Sequence, residues 1–201
     1  MITIDVVHDV ICPWCRIGEH HLDTALEQWH GEPVRVRLHA FQLAPETPAE
    51  GADYRAHLLK KVGDPRRLDA IHDRLNGIAA PLGLTFRHNL IQRLPNTLRA
   101  HAMIAAVPQE KQRPLLHALQ RAYFEEGRDV GSTEVLRQVG ESVGLDAETA
   151  RAAAEDGDIQ RAQEDAREMA ELGVTGVPSF IIDGKYQIVG AQPPEVLLKA
   201  I

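Results

Sequence analysis

The sequence predicts an α/β fold in which a strand-helix-strand unit at the start and a strand-strand-helix unit at the end are separated by a long run of helices. Three observations predict it. Runs rich in β-branched residues stand near the two ends of the 201-residue chain. Residues 50 to 172 carry repeated helix caps and stops, with no convincing strand beyond a brief "LTF". Near the end, Asp183-Gly184 separates two β-rich segments and is the dipeptide that a two-residue hairpin turn favours, because both central residues need positive φ.

Element by element, "MITIDVVHDVI" reads as a short, largely buried strand ending near His8 and Asp9. From Trp14 to about Trp29, Ile17, Leu22, Ala25, Leu26 and Trp29 fall mostly on one helical face. Pro13 suits the first helical turn, where a missing N–H costs nothing, so Cys12 stands at or just before the helix N-terminus. "PVRVRLHAFQL" alternates Val34, Val36, Leu38 and Ala40 with Arg35, Arg37 and His39, a half-buried strand. In the central region Asn96 or Thr97 caps "LRAHAMIAAV", which Pro108 ends, and Gly127 ends "LLHALQRAYFEE". Ser132, Asp146 and Asp158 cap three further helices that stop before Gly144, Gly157 and Gly173. No fixed-period repeat unites these helices, which argues against a solenoid. "VPSFII" and "KYQIV" form the terminal hairpin, and a last helix begins at Pro193-Pro194. The expected organisation is a sheet domain in two halves, 1–49 and 173–201, with a helical insertion domain over 50–172.

A chain of this length with 44% hydrophobic residues has enough apolar material for a real core. The net charge of −7 is spread through mixed-sign stretches such as "EDAREMAEL" without a lysine or arginine block, so no nucleic-acid surface is expected. No apolar run approaches the roughly 18 residues that span a bilayer, and no membrane association is expected. The first residues lack the basic start, apolar middle and small-residue cleavage site of a secretory signal, so the expected location is the cytoplasm.

Both cysteines of the chain lie in "CPWC". A Cys-x-x-C pair suits a metal, a structural bridge or electron exchange. A bridge between such close neighbours constrains the unfolded chain only slightly and has little structural use in a reducing compartment. Zinc needs two further ligands; His8, His20 and His21 are near in sequence, but the expected helix sends them to different faces, and no metal is expected. Redox chemistry fits the context best. The positive end of the helix dipole and the free N–H groups favour a thiolate at Cys12, the attacking sulfur. Cys15, one turn on and buried, stays protonated until it attacks Cys12 in a mixed disulfide. Far away, "GVTGVPSF" places Pro178 at the opening of a strand, where a cis bond to Val177 is open to it but statistics alone favour trans, since only about 5–6% of X-Pro bonds are cis.

"CPWC" after the first strand, the helical insertion, "GVTGVPSFII" and "DGKYQIVGAQPPEVL" together resemble the DsbA family of thioredoxin-fold oxidoreductases. "LPNTLRAHAMI", "AYFEEGRDVGSTEVL" and "GAQPPEVLLKAI" resemble its FrnE-like branch, and the likeness spans nearly the whole chain. The resemblance implies a thioredoxin fold (β-α-β … β-β-α), with Cys12 as an exposed redox nucleophile and Cys15 as its buried resolving partner. It makes Pro13 and Trp14 the dipeptide that tunes the potential. It also makes Pro178 a cis-proline facing the cysteines, with the Val177 N–H and C=O pairing to an extended substrate strand. The implied function is a thiol-disulfide oxidoreductase acting by disulfide exchange, reduction or isomerisation on cysteine-containing proteins. No cofactor is implied, and glutathione or thioredoxin is the redox partner. Pro-Trp replaces the Pro-His of secreted DsbA enzymes, so their strongly oxidising role does not carry over automatically.

Two other functions compete. Related thioredoxin-fold proteins with helical insertions include glutathione-dependent hydroxychromene-carboxylate isomerases and kappa-class glutathione transferases, which typically carry serine where this chain has a cysteine. A chaperone-like peptide-binding protein is the non-enzymatic reading. His8 and Asp9 stand beside the active turn, but a solvated strand-end role is the expectation for both; His101 and His117 are read as surface or packing residues. Trp14 either contacts substrate or covers the cysteines.

Overall fold

The computed structural model describes residues 1–201. β1 (Ile2–His8) leads into α1 (Pro13–Gln28) and β2 (Val34–Ala40). Then follow β3 (Ala52–Asp53), α2 (Tyr54–Val62), α3 (Pro65–Ala79), β4 (Arg93–Leu94), α4 (Leu98–Ala106) and α5 (Gln109–Phe124). α6 (Thr133–Ser142), α7 (Ala147–Asp156) and α8 (Ile159–Glu171) complete the helical stretch. β5 (Ser179–Ile182), β6 (Tyr186–Val189) and α9 (Pro194–Ala200) close the chain. This is the thioredoxin plan with helices inserted between β2 and β5.

The main sheet has the order β2-β1-β5-β6, with β1 parallel to β2 and antiparallel to β5. β1 is therefore central and its residues are covered on both faces. Ile4 and Val6 point to a core with Leu22 and Ala25 of α1, Phe180 and Ile182 of β5, and Leu197 of α9. Val7 points the other way, towards Met169 and Val174. Burial of each such Leu, Ile or Phe is worth about 1.5–3 kcal/mol, which explains why a β-branched run occupies this strand. The largest core joins Val10, Ile11 and Ile17, around the cysteine turn, to the inserted helices through Leu115, Leu119 and Phe124. The insertion and the sheet domain therefore share one core at the point where the turn is held.

Asp183 and Gly184 adopt positive φ of 50° and 66°, as expected, but the strands pair Ile182 with Tyr186, so Lys185, whose N donates to Ile182 O at 2.9 Å, joins them in a three-residue connection and not a two-residue one. Asp146 and Asp158 accept the Thr149 and Arg161 N–H groups as helix caps. Ser132 and Thr97 stand at N-caps without a capping side-chain bond; Asn96 Oδ1 instead accepts from Leu98 N at 3.1 Å. "LTF" forms no strand, and the insertion is not all-helical as expected: the two-residue strands β3 and β4 pair antiparallel within it, a pairing too short to leave an alternating pattern in the sequence. α5 begins five residues before Pro114, earlier than the sequence reading places it; Pro114 lies in the second turn, where its missing N–H forgoes one intrahelical bond and the helix runs on through it. No helix is long and apolar enough to cross a membrane.

Candidate active site

Cys12 is the N-cap of α1, with extended backbone (φ −87°, ψ 114°), and its Sγ accepts from Cys15 N–H at 3.3 Å. Pro13 occupies the first helical turn. The turn is fixed by Cys12 N donating to Asp9 O at 3.0 Å and Arg16 N donating to Cys12 O at 3.2 Å. The sulfur thus sits where the unpaired amide groups and the positive end of the helix dipole converge, a setting that stabilises an anion. Both cysteines are free thiols. Cys15 is wholly buried, and burial pushes its thiol well above the usual range. The hydrogen bond and charge of Cys12 and the charge of Asp9 push in the same direction, while the Asp9 N–H partly opposes them. Cys15 is accordingly a neutral thiol at pH 7.

Across the fold, the Val177-Pro178 bond is cis and the Val177 carbonyl oxygen lies 3.9 Å from Cys12 Sγ. The Val177 N–H has no partner in the protein, whereas Pro178 O accepts from Gly190 N at 2.8 Å. Val177 therefore presents one free donor and a carbonyl occupied only by the thiol. Gly18 makes the approach of this loop achievable: a Cβ there would lie 2.7 Å from Pro178 Cγ and 3.2 Å from the Phe180 ring. Sequence reading missed Gly18, because a glycine within a helical pattern carries no label for the loop that packs on it.

Two expectations are corrected. Cys12 is 3% exposed, so it is not the open nucleophile the resemblance implies; the approach of Val177 and the shared core beneath the turn cover it. His8 and Asp9 are not solvated strand-end residues but are 1% and 0% exposed, because the inserted helices close over the end of β1. Asp9 Oδ2 accepts from Leu43 N at 2.8 Å, and Oδ1 accepts from Ile11 N at 3.5 Å and lies 3.6 Å from His101 Nε2. His101 Nε2 also donates to Phe41 O at 3.1 Å. His8 packs its ring on His101, 5.1 Å between centroids, and its Nδ1 has no partner. Burial, followed by the charges of His101, His39 and His117, pushes His8 well below the usual imidazole range.

Trp14 is 39% exposed and, with Pro13, forms one wall of a 290 Å³, mostly apolar pocket that is closed by α2 and α3, through Leu58 and Leu68, and by Phe124 of α5, with His57, His72 and His88 among its polar groups. Arg16 was also missed. Its Nη2 pairs with Glu125, its Nη1 donates to Gln120 O at 3.3 Å, and its guanidinium lies over Phe86. Its partners are about a hundred residues distant, beyond any spacing signal. No three or more His, Cys, Asp or Glu side chains are grouped to hold a metal ion.

Residues 3–201 match the DSBA-like thioredoxin domain. This chain belongs to that family. The DSBA-like chain is also similar to a probable DsbA oxidoreductase from Streptomyces coelicolor, with 31% identity and a TM-score of 0.88 over 100% of this chain and 88% of that one. Two more distant structures share the fold of this DSBA-like protein. One is the cytosolic disulfide reductase DsbM from Pseudomonas aeruginosa with GSH (23% identity, TM-score 0.67, 98% of each chain). The other is a 2-hydroxychromene-2-carboxylate isomerase (18% identity, TM-score 0.72, 98% of this chain and 93% of that one).

Proposed function

We propose that this oxidoreductase-family chain catalyses thiol-disulfide exchange on protein substrates through Cys12 and Cys15. The observation that carries the reading is Cys12 Sγ at the N-cap of α1, hydrogen-bonded by Cys15 N–H and facing the Val177 carbonyl. In the reducing direction the Cys12 thiolate attacks a substrate disulfide, and one substrate sulfur leaves as a thiolate. Cys15 then gives up its proton and attacks Cys12 Sγ. The second substrate thiolate leaves, and the Cys12–Cys15 disulfide holds the oxidising equivalents until glutathione or thioredoxin removes them. The reverse sequence oxidises a substrate dithiol. The free Val177 N–H, and its carbonyl once the thiol is engaged, pair with the substrate backbone beside its cysteine, Pro178 fixing their direction. Pro13 and Trp14 tune the balance between the two directions. The proposed setting is the cytoplasm.

Replacing Cys15 with Ala removes the resolving thiol, and the variant is expected to accumulate mixed disulfides through Cys12 in cells and to lose insulin reduction. Absence of both trapped adducts and dithiol activity in the wild type sinks the reading. The 290 Å³ apolar pocket beside Pro13 and Trp14 favours a second reading, a glutathione-dependent conversion of a small molecule. Catalysis that needs glutathione and survives Cys15→Ser selects that alternative.

A further inference from the structure

The turn that carries Cys12 borders a pocket that exchange at the sulfur does not itself use. Ile11, Pro13 and Trp14, which flank Cys12 on both sides, line this 290 Å³ cavity between the turn and the inserted helices. Trp14, Leu43 and Ile71 belong to the same wall and are each 39–40% exposed, so three of the chain's few exposed large apolar side chains gather at one place. Scattered singly they need no explanation, but a cluster at a pocket marks a surface built to be covered. The wall also holds polar atoms that nothing in the protein satisfies. The Tyr54 hydroxyl is taken up by His88 Nδ1 at 3.1 Å and His72 Nε2 at 3.4 Å. The Tyr123 hydroxyl and His88 Nε2, by contrast, have no partner, although Tyr123 is only 1% exposed. A buried hydroxyl is normally hydrogen-bonded, so an orphan in a pocket wall points to a group that arrives from outside. Burial, followed by the charges of Tyr54, Asp9 and Asp129, pushes the Tyr123 phenol well above its ordinary range, so it stays neutral and can both donate and accept.

We propose that this pocket receives a tyrosine side chain of the substrate protein, lying within two residues of the cysteine that Cys12 attacks, and that Tyr123 binds its hydroxyl. The proposal deepens the thiol-disulfide reading and rests on it. At 290 Å³ the cavity stands at the lower end of ligand pockets, which run from about 300 to 1,000 Å³, and has room for one large side chain and no more. Its mostly apolar walls favour a ring and disfavour a charged tip, which loses its hydration there. Phenylalanine or leucine leaves the Tyr123 hydroxyl unpaired, and an indole N–H only donates; a phenol hydroxyl answers either role. The spacing suits an extended peptide. A substrate strand paired with Val177 advances about 3.3 Å per residue and sends alternate side chains to one face, so a residue two positions from the cysteine lies about 7 Å along it. That is the scale of a pocket whose wall begins at the residues on either side of Cys12. Backbone pairing at Val177 places the strand, and the pocket reads one side chain. Tyr123 is thus a specificity residue and takes no part in the exchange at sulfur.

The test is the rate at which the reduced full chain attacks short peptides whose single cysteine is held as a mixed disulfide with 2-nitro-5-thiobenzoate, read in stopped flow from the coloured thiolate released. The peptides carry tyrosine, phenylalanine or alanine at each of the four positions nearest the cysteine in turn. At one of these positions the wild type is expected to prefer phenylalanine to alanine at least about tenfold, the low end for a buried ring. There it is also expected to prefer tyrosine to phenylalanine about two- to tenfold, the range of one net hydrogen bond. Tyr123→Phe is expected to bring the tyrosine-to-phenylalanine ratio to about one and to keep the preference for a ring. Leu58→Trp fills the pocket and is expected to bring both ratios to about one. Each ratio is taken within one protein, so a general change in Cys12 reactivity imitates neither result. Release of colour with no ring preference at any position overturns the proposal and leaves the redox reading standing. Equal wild-type rates for tyrosine and phenylalanine do the same, as does a tyrosine preference that survives in both variants. No release from any peptide sinks the redox reading and the proposal with it.

Discussion

Single side chains decide how closely the two redox segments meet. Gly18 has no Cβ where one would press on Pro178 at 2.7 Å. Gly18→Ala gains about 1 kcal/mol of helix propensity but meets overpacking of about 1–3 kcal/mol, so a net loss of up to about 2 kcal/mol is expected in urea unfolding. The reaction of Cys12 with a disulfide reagent is expected to change as well, since displacement of the loop moves the Val177 carbonyl from its 3.9 Å contact. A variant stabilised by the full helix gain, with unchanged Cys12 reactivity, contradicts that packing. At this scale Cys12, Pro13 and Cys15 were legible because strand, proline and helix adjoin them in sequence. His8 and Asp9 were misread because what buries them includes the loop after β2 and helix α4, at Leu43 and His101.

Among the elements, α1 is tied to the insertion by two guanidinium groups, its own Arg16 on Glu125 and Arg113 of α5 on Asp23, and Arg16 is the buried one. Arg16 is 5% exposed, while the Glu125 side chain is one-third exposed. Glu125→Ala strands the buried cation with carbonyl partners alone. A loss of about 2–3 kcal/mol is expected in urea unfolding, below the roughly 3–5 kcal/mol of a fully buried pair because Glu125 reaches solvent. Arg16→Met removes the charge and keeps much of the volume, and is expected to be the milder change. The opposite ranking rules out this account of the joint. Helices with a polar cap, a periodic face and a terminal glycine, such as α7 and α8, were legible from their residues. The start of α5 was not, because its first turn, "QEKQR", carries no apolar face to extend the periodic run that begins at Leu115.

Across the molecule, pH acts on histidines of opposite sign. Burial lowers His39, but the Asp165 and Asp5 carboxylates outweigh it and hold this imidazole above its ordinary value. Its stabilisation is present below about pH 6.5 and is lost as pH rises through the raised folded value. Burial and the charge of His72 bring His88 down to about 4, and burial also lowers His72. Their unfolded forms take up protons below about pH 6.5 while the folded forms do not, so stability falls as pH drops through that range. His8, His72 and His88 together outnumber His39, and the fold is expected to weaken on acidification from pH 6.5 to 5. His88→Asn should reduce the slope of unfolding free energy against pH by up to about 1.4 kcal/mol per unit, one proton's worth, and His39→Gln should steepen it. Denaturant titrations at several pH values check both slopes, and an unchanged slope in both variants refutes the assignment.

The β-α-β and β-β-α ends, the two-part main sheet and the place of the cysteine turn at the start of α1 were determined by the sequence alone. Each depends on periodicity, caps and turn residues that act over a few neighbours. Only the tertiary structure decided that Val177 O stands at Cys12, that Gly18 admits Pro178, that Arg16 reaches Glu125 and that His101 reaches Asp9. These contacts join segments tens to more than a hundred residues apart, and their geometry follows from how the cores pack the helices against the sheet, which no local pattern encodes.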